Sequence, residues 1–172
     1  AWIHQFKNIL YKLKENNHEI IIYAVEKDRC VELLDAFGFN YHIVGNSTGN
    51  NIFHKAFLLV QITYSMWKLN RKFKPDFFIG RASPMVAMNA VLYGVPHIIY
   101  EDTERSTISL FFCKLFSSLI VTHFSFKKNL GKKQLRKNFY KELFYLHPSY
   151  FSADDSVLKT LGIKKGEKFV VL

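Results

Sequence analysis

Apolar residues recur along this chain in two alternating rhythms. Ile3, Phe6, Ile9, Leu10 and Leu13 fall at helical spacing and predict a helix over 3–16. Asn17-His18 turns the chain into 19–25, whose centre, Ile20-Ile21-Ile22-Tyr23, is a continuous apolar run. Such a run is expected of a strand covered on both faces, as in a parallel sheet. Asp28 is placed to cap a helix that turns Val31, Leu33, Leu34 and Phe37 inward and stops at Gly38. A short strand over 41–44, a polar loop over 45–51 and a long amphipathic helix over 52–72 follow. Lys74-Pro75-Asp76 ends that helix and opens a strand at 77–80. Ser83 and Pro84 supply the cap and the first-turn proline of another helix, which Gly94-Val95-Pro96 closes. A strand over 97–101, a helix capped by Asp102 or Thr103 and running to Phe116, and a strand over 119–123 continue the pattern. A basic segment, a turn at Pro148, a short helix over 153–161 and a strand over 169–172 complete it.

Strands alternating with helices at this rhythm predict an α/β fold, a Rossmann-like doubly wound parallel sheet. Sheets of this kind place their first strand centrally, in the order 3-2-1-4-5-6. Here a helix comes first. If 19–25 is the second strand, it and 76–80 should stand apart by one strand width, about 10 Å. The expectation is therefore a central strand upstream of the chain, and a further α/β unit beginning at its end. Residues 1–150 would form one domain, and 151–172 the crossover helix and first strand of a second. Alone, the chain is expected to be poorly stable and inactive.

Composition fits a globular protein, with 49% hydrophobic and 22% charged residues. Cys30 and Cys113 have neither CxxC spacing nor companion histidines, and both sit in apolar helical patterns, so buried reduced thiols are expected. No set of residues at metal-ligand spacing occurs. The net charge of +10 changes the picture more. Cations gather at Lys68, Arg71, Lys72 and Lys74, and again at Lys127, Lys128, Lys132, Lys133, Arg136, Lys137 and Lys141. A solvated basic face and an anionic membrane surface touching 127–141 are both open readings. No nucleic-acid-binding motif is present. The longest apolar stretch, 56–69, is too short to span a bilayer, and the location expected is cytoplasmic, peripheral at the inner membrane face.

Four segments carry a resemblance: Trp2-Ile3-His4-Gln5-Phe6-Lys7-Asn8, Gly80-Arg81-Ala82-Ser83-Pro84, Tyr100-Glu101-Asp102-Thr103-Glu104 and Tyr140-Lys141-Glu142-Leu143-Phe144-Tyr145-Leu146-His147-Pro148. The last has no origin in helix or strand periodicity. It resembles the YKEL-x-YLHP signature of the prokaryotic family filed as domain of unknown function 354. That family is similar to GT-B glycosyltransferases and to UDP-N-acetylglucosamine 2-epimerases. The resemblance covers nearly the whole chain and implies the N-terminal, acceptor-side half of a GT-B fold. It further implies a nucleotide-sugar donor, a UDP-sugar, held by a C-terminal domain, with no cofactor in this chain. Of the family's HxH-like loop only His4 carries over, since Trp2 stands at the place of the first histidine.

Ligands of open α/β sheets bind beyond the carboxyl ends of the strands. His4 would follow the upstream strand; Arg81, Ala82 and Ser83 follow the strand at 77–80; Glu101, Asp102, Thr103 and Glu104 follow the next. These are the candidate site residues, with Lys141. His4 or Glu101 would serve as general base on an acceptor hydroxyl; Arg81, Ser83, Asp102, Thr103, Glu104 and Lys141 would bind substrate. Each has a structural alternative. His4 can pack the first helix, Arg81 can pair with Asp102 or Glu104, Asp102 or Thr103 can cap a helix, and Lys141 can pair with Glu142. A buried Glu101 must be used or paired. The function implied is transfer of a sugar to a surface-polysaccharide or lipid-linked acceptor. A UDP-sugar epimerase is the alternative, through likeness of Tyr100–Arg105 to its VEAGLR stretch, although the epimerase HGDT motif has an aspartate where this chain reads Gly80-Arg81-Ala82-Ser83. A non-catalytic sugar-binding or scaffold domain is the third reading.

Overall fold

A computed structural model describes residues 2–26, 29–46, 51–154, 156–164 and 166–170, with the side chain of residue 52 excepted. Its elements run α1 (Trp2–Glu15), β1 (Ile22–Glu26), α2 (Cys30–Ala36), β2 (Tyr41–Asn46), α3 (Ile52–Phe73), β3 (Phe78–Gly80) and α4 (Pro84–Tyr93). They continue with β4 (His97–Glu101), α5 (Thr107–Phe116), β5 (Leu119–His123), β6 (Gln134–Lys137), α6 (Leu143–Leu146) and α7 (Ser156–Thr160). Every strand pairing is parallel. The α/β alternation read from the sequence is therefore the architecture.

The strands form two sheets. One is β1-β2 and the other β3-β4-β5-β6. The edges of β1 and β3 share no ladder, and a cavity of about 510 Å³ separates them. Ile22 to Val25 line one side, Phe78 to Gly80 the other, with Phe6 of α1 and Met66 of α3 among the walls. As expected, these two strands are not hydrogen-bonded neighbours. This also explains why the run 20–23 is only half-buried despite its apolarity: one edge of β1 has no neighbouring strand.

Helices cover both faces. On one side α3 packs against α4 and α4 against α5; on the other α1 lies by α2 and α6. Ala87, Ile99, Leu110, Cys113 and Ile120 form the core under α4 and α5. Ile62 and Met66 of α3 bury against Val44, Phe78 and Ala90, so α3 touches both sheets. Gly45 permits that approach, since a Cβ there would lie 2.8 Å from an Ile62 side-chain carbon. A buried amide chain follows the same path. The Tyr23 hydroxyl donates to Asn70 Oδ1, Asn70 Nδ2 donates to Asn89 Oδ1 at 3.5 Å, and Asn89 Nδ2 donates to the carbonyls of Thr63 and Met85 at 3.1 and 3.0 Å. Burial, and after it Tyr93, pushes the Tyr23 hydroxyl up to about 12, so it stays a donor at neutral pH.

Several local expectations need correction. Residues 19–21 precede β1 because the ladder to β2 begins at Ile22↔Tyr41. Asp28 lies outside the described residues; α2 begins after Arg29, which gives no side-chain cap. Ser106, not Asp102 or Thr103, occupies the cap position of α5, because both earlier residues stay in the turn that leaves β4. The basic segment contains β6, paired to β5 from Ile120↔Gln134 to His123↔Lys137. Residues 169–170 have no strand pairing, and 171–172 lie outside the described residues. No described residue of 151–170 is buried. Ser83 and Pro84 do start α4, and Gly94, with φ of 64°, ends it. Neither cysteine forms a disulfide; Cys113 is buried and Cys30 half-buried.

Two stability effects follow. Asn70→Leu removes both partners from the buried amide chain and leaves Asn89 Oδ1 and the Tyr23 hydroxyl unmet, so urea unfolding should show a loss of about 1–3 kcal/mol. An unchanged midpoint would deny the network a stabilising role. His97 is fully buried, with Nδ1 3.0 Å from Ser117 Oγ and Nε2 without a partner among the described residues. Burial lowers its pKa to about 4 from 6.5. Between those values the unfolded chain binds the extra proton. Stability is thus full above pH ~6.5 and falls toward pH ~4, by about 3 kcal/mol. In urea titrations across this window, His97→Asn should flatten the slope.

Candidate functional site

The carboxyl ends of β3 and β4 sit side by side, since Gly80 pairs with Ile99 one turn of the ladder before Glu101. Arg81 leaves the first of these strands and Glu101 ends the second. Their side chains meet: Arg81 Nη2 donates to Glu101 Oε1 at 2.5 Å, and the same nitrogen lies 3.5 Å from Asp102 Oδ1. Lys141 Nζ donates to the other oxygen, Asp102 Oδ2, at 2.5 Å. Two cations and two carboxylates thus form one charge-compensated row, Glu101–Arg81–Asp102–Lys141. The hydrogen bond to Asp102 raises the Lys141 pKa, against an opposing contribution from burial. Lys141 is therefore an ammonium at neutral pH.

Burial grades along this row. The Glu101 side chain is 1% exposed, Asp102 18%, Arg81 29% and Lys141 42%. Glu101 Oε1 also accepts the backbone N–H groups of Asp102 and Thr103, each at 3.1 Å. This carboxylate fastens the turn after β4 and holds Arg81 above it. The carboxylate that reaches solvent is Asp102. Trp2 completes the group: the guanidinium carbon of Arg81 lies 3.0 Å from its ring centroid. Arg81 Nε is buried there without a partner among the described residues, an uncommon state for a charged donor.

The segment bearing Lys141 is fixed by aromatic packing. Tyr100 contacts Phe139 and Phe144 at 4.9 and 5.3 Å between ring centroids, and Asn8 Nδ2 donates to the Phe144 carbonyl at 2.6 Å. The Tyr140–Pro148 string is thereby held against both β4 and α1. Burial is the first cause that raises the Tyr100 pKa, with the carboxylates nearby adding to it.

The side chains of the other candidates do not join the row. His4 packs its ring on Phe37 and Tyr145, at 5.3 and 5.8 Å; burial first, and after it Lys7, lower its pKa. Ser83 Oγ accepts from Val86 N at 3.5 Å as the cap of α4 and donates to Met85 Sδ at 3.6 Å. Thr103 Oγ1 accepts from Arg105 N at 3.4 Å. Glu104 accepts the Lys127 N–H at 2.6 Å, and its carbonyl accepts from Lys128 Nζ. Arg81 pairs with Glu101 and Asp102, not with Glu104, and the ion pair of Lys141 is with Asp102 rather than Glu142. Trp2 is the contributor that sequence reasoning passed over. Its signal was an aromatic residue at a place where the resemblance expects histidine.

Comparison with known proteins gives one kind of answer. No protein-family model matches the chain, and no curated protein matches it, so the resemblance to the family of unknown function is not confirmed. Among solved structures, the crystal structure of MurG from Acinetobacter baumannii superposes with a TM-score of 0.63 at 13% sequence identity. The match covers 80% of this chain and 42% of that one. The chain thus spans less than half the length of that protein. At this identity the likeness establishes the fold: a Rossmann-like half of the GT-B kind.

Glu101→Gln keeps the shape and removes the charge beneath Arg81, so it should lower stability by about 1–3 kcal/mol in urea unfolding. Asp102→Asn, on the solvent side, should cost no more than about 1 kcal/mol. The reverse order would place the structural anchor at Asp102.

Proposed function

We propose that this chain is the acceptor-side half of a GT-B-type glycosyltransferase that uses a nucleotide-sugar donor, a UDP-sugar, and acts on a surface-polysaccharide or lipid-linked acceptor. The observation that carries the reading is the row Arg81–Asp102–Lys141 at the carboxyl ends of adjacent parallel strands, where ligands of this architecture bind. The GT-B-like fold supports it. The row is electrically balanced, so it suits hydroxyl-rich ligands better than a free phosphate. The partly exposed Arg81 guanidinium offers N–H donors to an acceptor oxygen, and Trp2 offers an apolar ring face to a sugar.

Asp102 is the carboxylate placed to take the proton from an acceptor hydroxyl. Glu101 is shielded by Arg81 and acts through it, as a positioning residue. The epimerase alternative is weaker, because Gly80-Arg81-Ala82-Ser83 carries no carboxylate where the epimerase motif has one. His4 would reach an acceptor only from the side occupied by Phe37 and Tyr145.

The test uses the longest polypeptide that carries this chain, with release of UDP measured across a panel of UDP-sugars. Asp102→Asn should lower kcat about 10²–10⁴-fold, with little change in folding. Trp2→Ala should raise KM for the acceptor more than it lowers kcat. Interconversion of C2 epimers without an acceptor would establish the epimerase instead. Failure to bind any UDP-sugar would leave the sugar-binding scaffold.

A further inference from the structure

On the side of the second sheet away from α4 and α5 lies a cavity of about 590 Å³. Ile99 and Ile120 belong to the core under α4 and α5, so strand alternation turns Ile98 and Tyr100 of β4 and Val121 of β5 toward this cavity. Helix α1 forms a second wall, and the segment 143–150 forms a third. Asn8 ties these two walls together through the Phe144 carbonyl. Large apolar side chains stay open around the cavity: Ile9 is 42% exposed, Phe144 37% and Tyr150 54%.

One lining residue does not fit an apolar core. Gln5 is 5% exposed, and its Nε2 has no hydrogen-bond partner among the described residues. A buried amide donor left unmet is costly. The terminal torsion of glutamine is broad, so this amide can turn to an oxygen placed in the cavity. Gln5 also marks a direction. Trp2, Gln5, Ile9 and Lys12 recur at intervals of three, four and three residues and share one side of α1. Trp2 stands on Arg81 in the charged row. Lys12 lines the cavity about 10 Å farther along the helix axis than Gln5. The cavity thus leads away from the row along α1.

We propose that this cavity takes the hydrocarbon chain of a single-chain glycolipid acceptor, with its sugar on Trp2 and the row and its glycosidic oxygen at Gln5. The inference rests on the proposed transferase reading for the sugar end, and it narrows the acceptor to a lipid-linked one. Volume and lining are those of a small-molecule pocket, mostly apolar with a few polar groups that fix orientation. The cavity between β1 and β3 is a poor rival. Strand edges that share no ladder line it, and a hydrocarbon would leave their backbone groups unmet. Among the described residues no helix is long and apolar enough to cross a membrane; the contact with lipid proposed here is within the fold.

Calorimetric titration of the longest polypeptide that carries this chain tests it, with octyl β-glucoside below its micellar concentration set against methyl β-glucoside and octanoate. Octyl β-glucoside should bind at least about a hundredfold more tightly than methyl β-glucoside. Ile9→Trp fills the cavity from α1 and Val121→Phe from the sheet. Each should weaken octyl β-glucoside binding at least about tenfold, with no effect on methyl β-glucoside. Gln5→Leu should weaken it about fivefold without lowering the urea midpoint, because the donor it removes is unmet in the free protein. The proposal is overturned if the two glucosides bind alike, or if octanoate binds more tightly than octyl β-glucoside. It is also overturned if Phe57→Ser, at an exposed position of α3, lowers the affinity while Ile9→Trp keeps it. Binding of octyl β-glucoside without binding of any UDP-sugar supports the cavity and ends the transferase reading; the converse pattern overturns the cavity alone.

Discussion

Helix α3 is the constraint on which the rest of the molecule depends. The sheets β1-β2 and β3-β4-β5-β6 exchange no backbone hydrogen bonds, so nothing in either ladder fixes their relative position. That position is set by helices that touch both: α3 buries Ile62 and Met66 against residues of each, and α1 packs Ile3 and Leu10 by β1 and Trp2 on Arg81. The Tyr23–Asn70–Asn89 chain then specifies it, because amides in a low-dielectric interior tolerate only an arrangement in which each finds its partner. Apolar contacts bring the halves together, and the amide chain selects one registration. The cavity beside β1 and β3 is compatible with a folded structure because the neighbouring layer carries the connection.

The charged row is built on the second sheet alone, and this matters for its precision. Arg81, Glu101 and Asp102 belong to β3, β4 and the turn after them, which share a ladder, so their spacing is inherited from strand geometry. Only Trp2 and Lys141 come from elsewhere, and both are tied in by contacts: Trp2 through Arg81 and Lys141 through the aromatic packing of Tyr100, Phe139 and Phe144. The row grades from a buried anchor to an exposed ammonium. The two carboxylates, Glu101 and Asp102, are adjacent in sequence and differ greatly in access to solvent.

Much of this was legible in the sequence. Apolar runs bounded by Ser83, Pro84 and Gly94 located β3, α4 and β4, because those punctuating residues have narrow backbone preferences. The convergence of residues 81, 101 and 102 followed from strand order. What stayed hidden was whatever depends on partners distant in sequence. Asn70 and Asn89 look like polar positions on helices until the Tyr23 hydroxyl and the carbonyls of Thr63 and Met85 meet them. Gln134 to Lys137 reads as a solvated basic stretch because an outer strand with few neighbours needs no apolar alternation. His4 and Trp2 exchanged expected places: two residues apart on one helix turn in different directions, and the aromatic ring reached the row.

That outer strand has a consequence for how the protein behaves at high concentration. β6 closes one side of the four-stranded sheet, and its free backbone groups are a template onto which another chain could add. Arg136 and Lys137 lie within the strand and Lys132 and Lys133 just before it. A second molecule approaching in the same way would bring its own cluster of cations against these. Strand-by-strand growth into fibres from this edge is therefore resisted by repulsion.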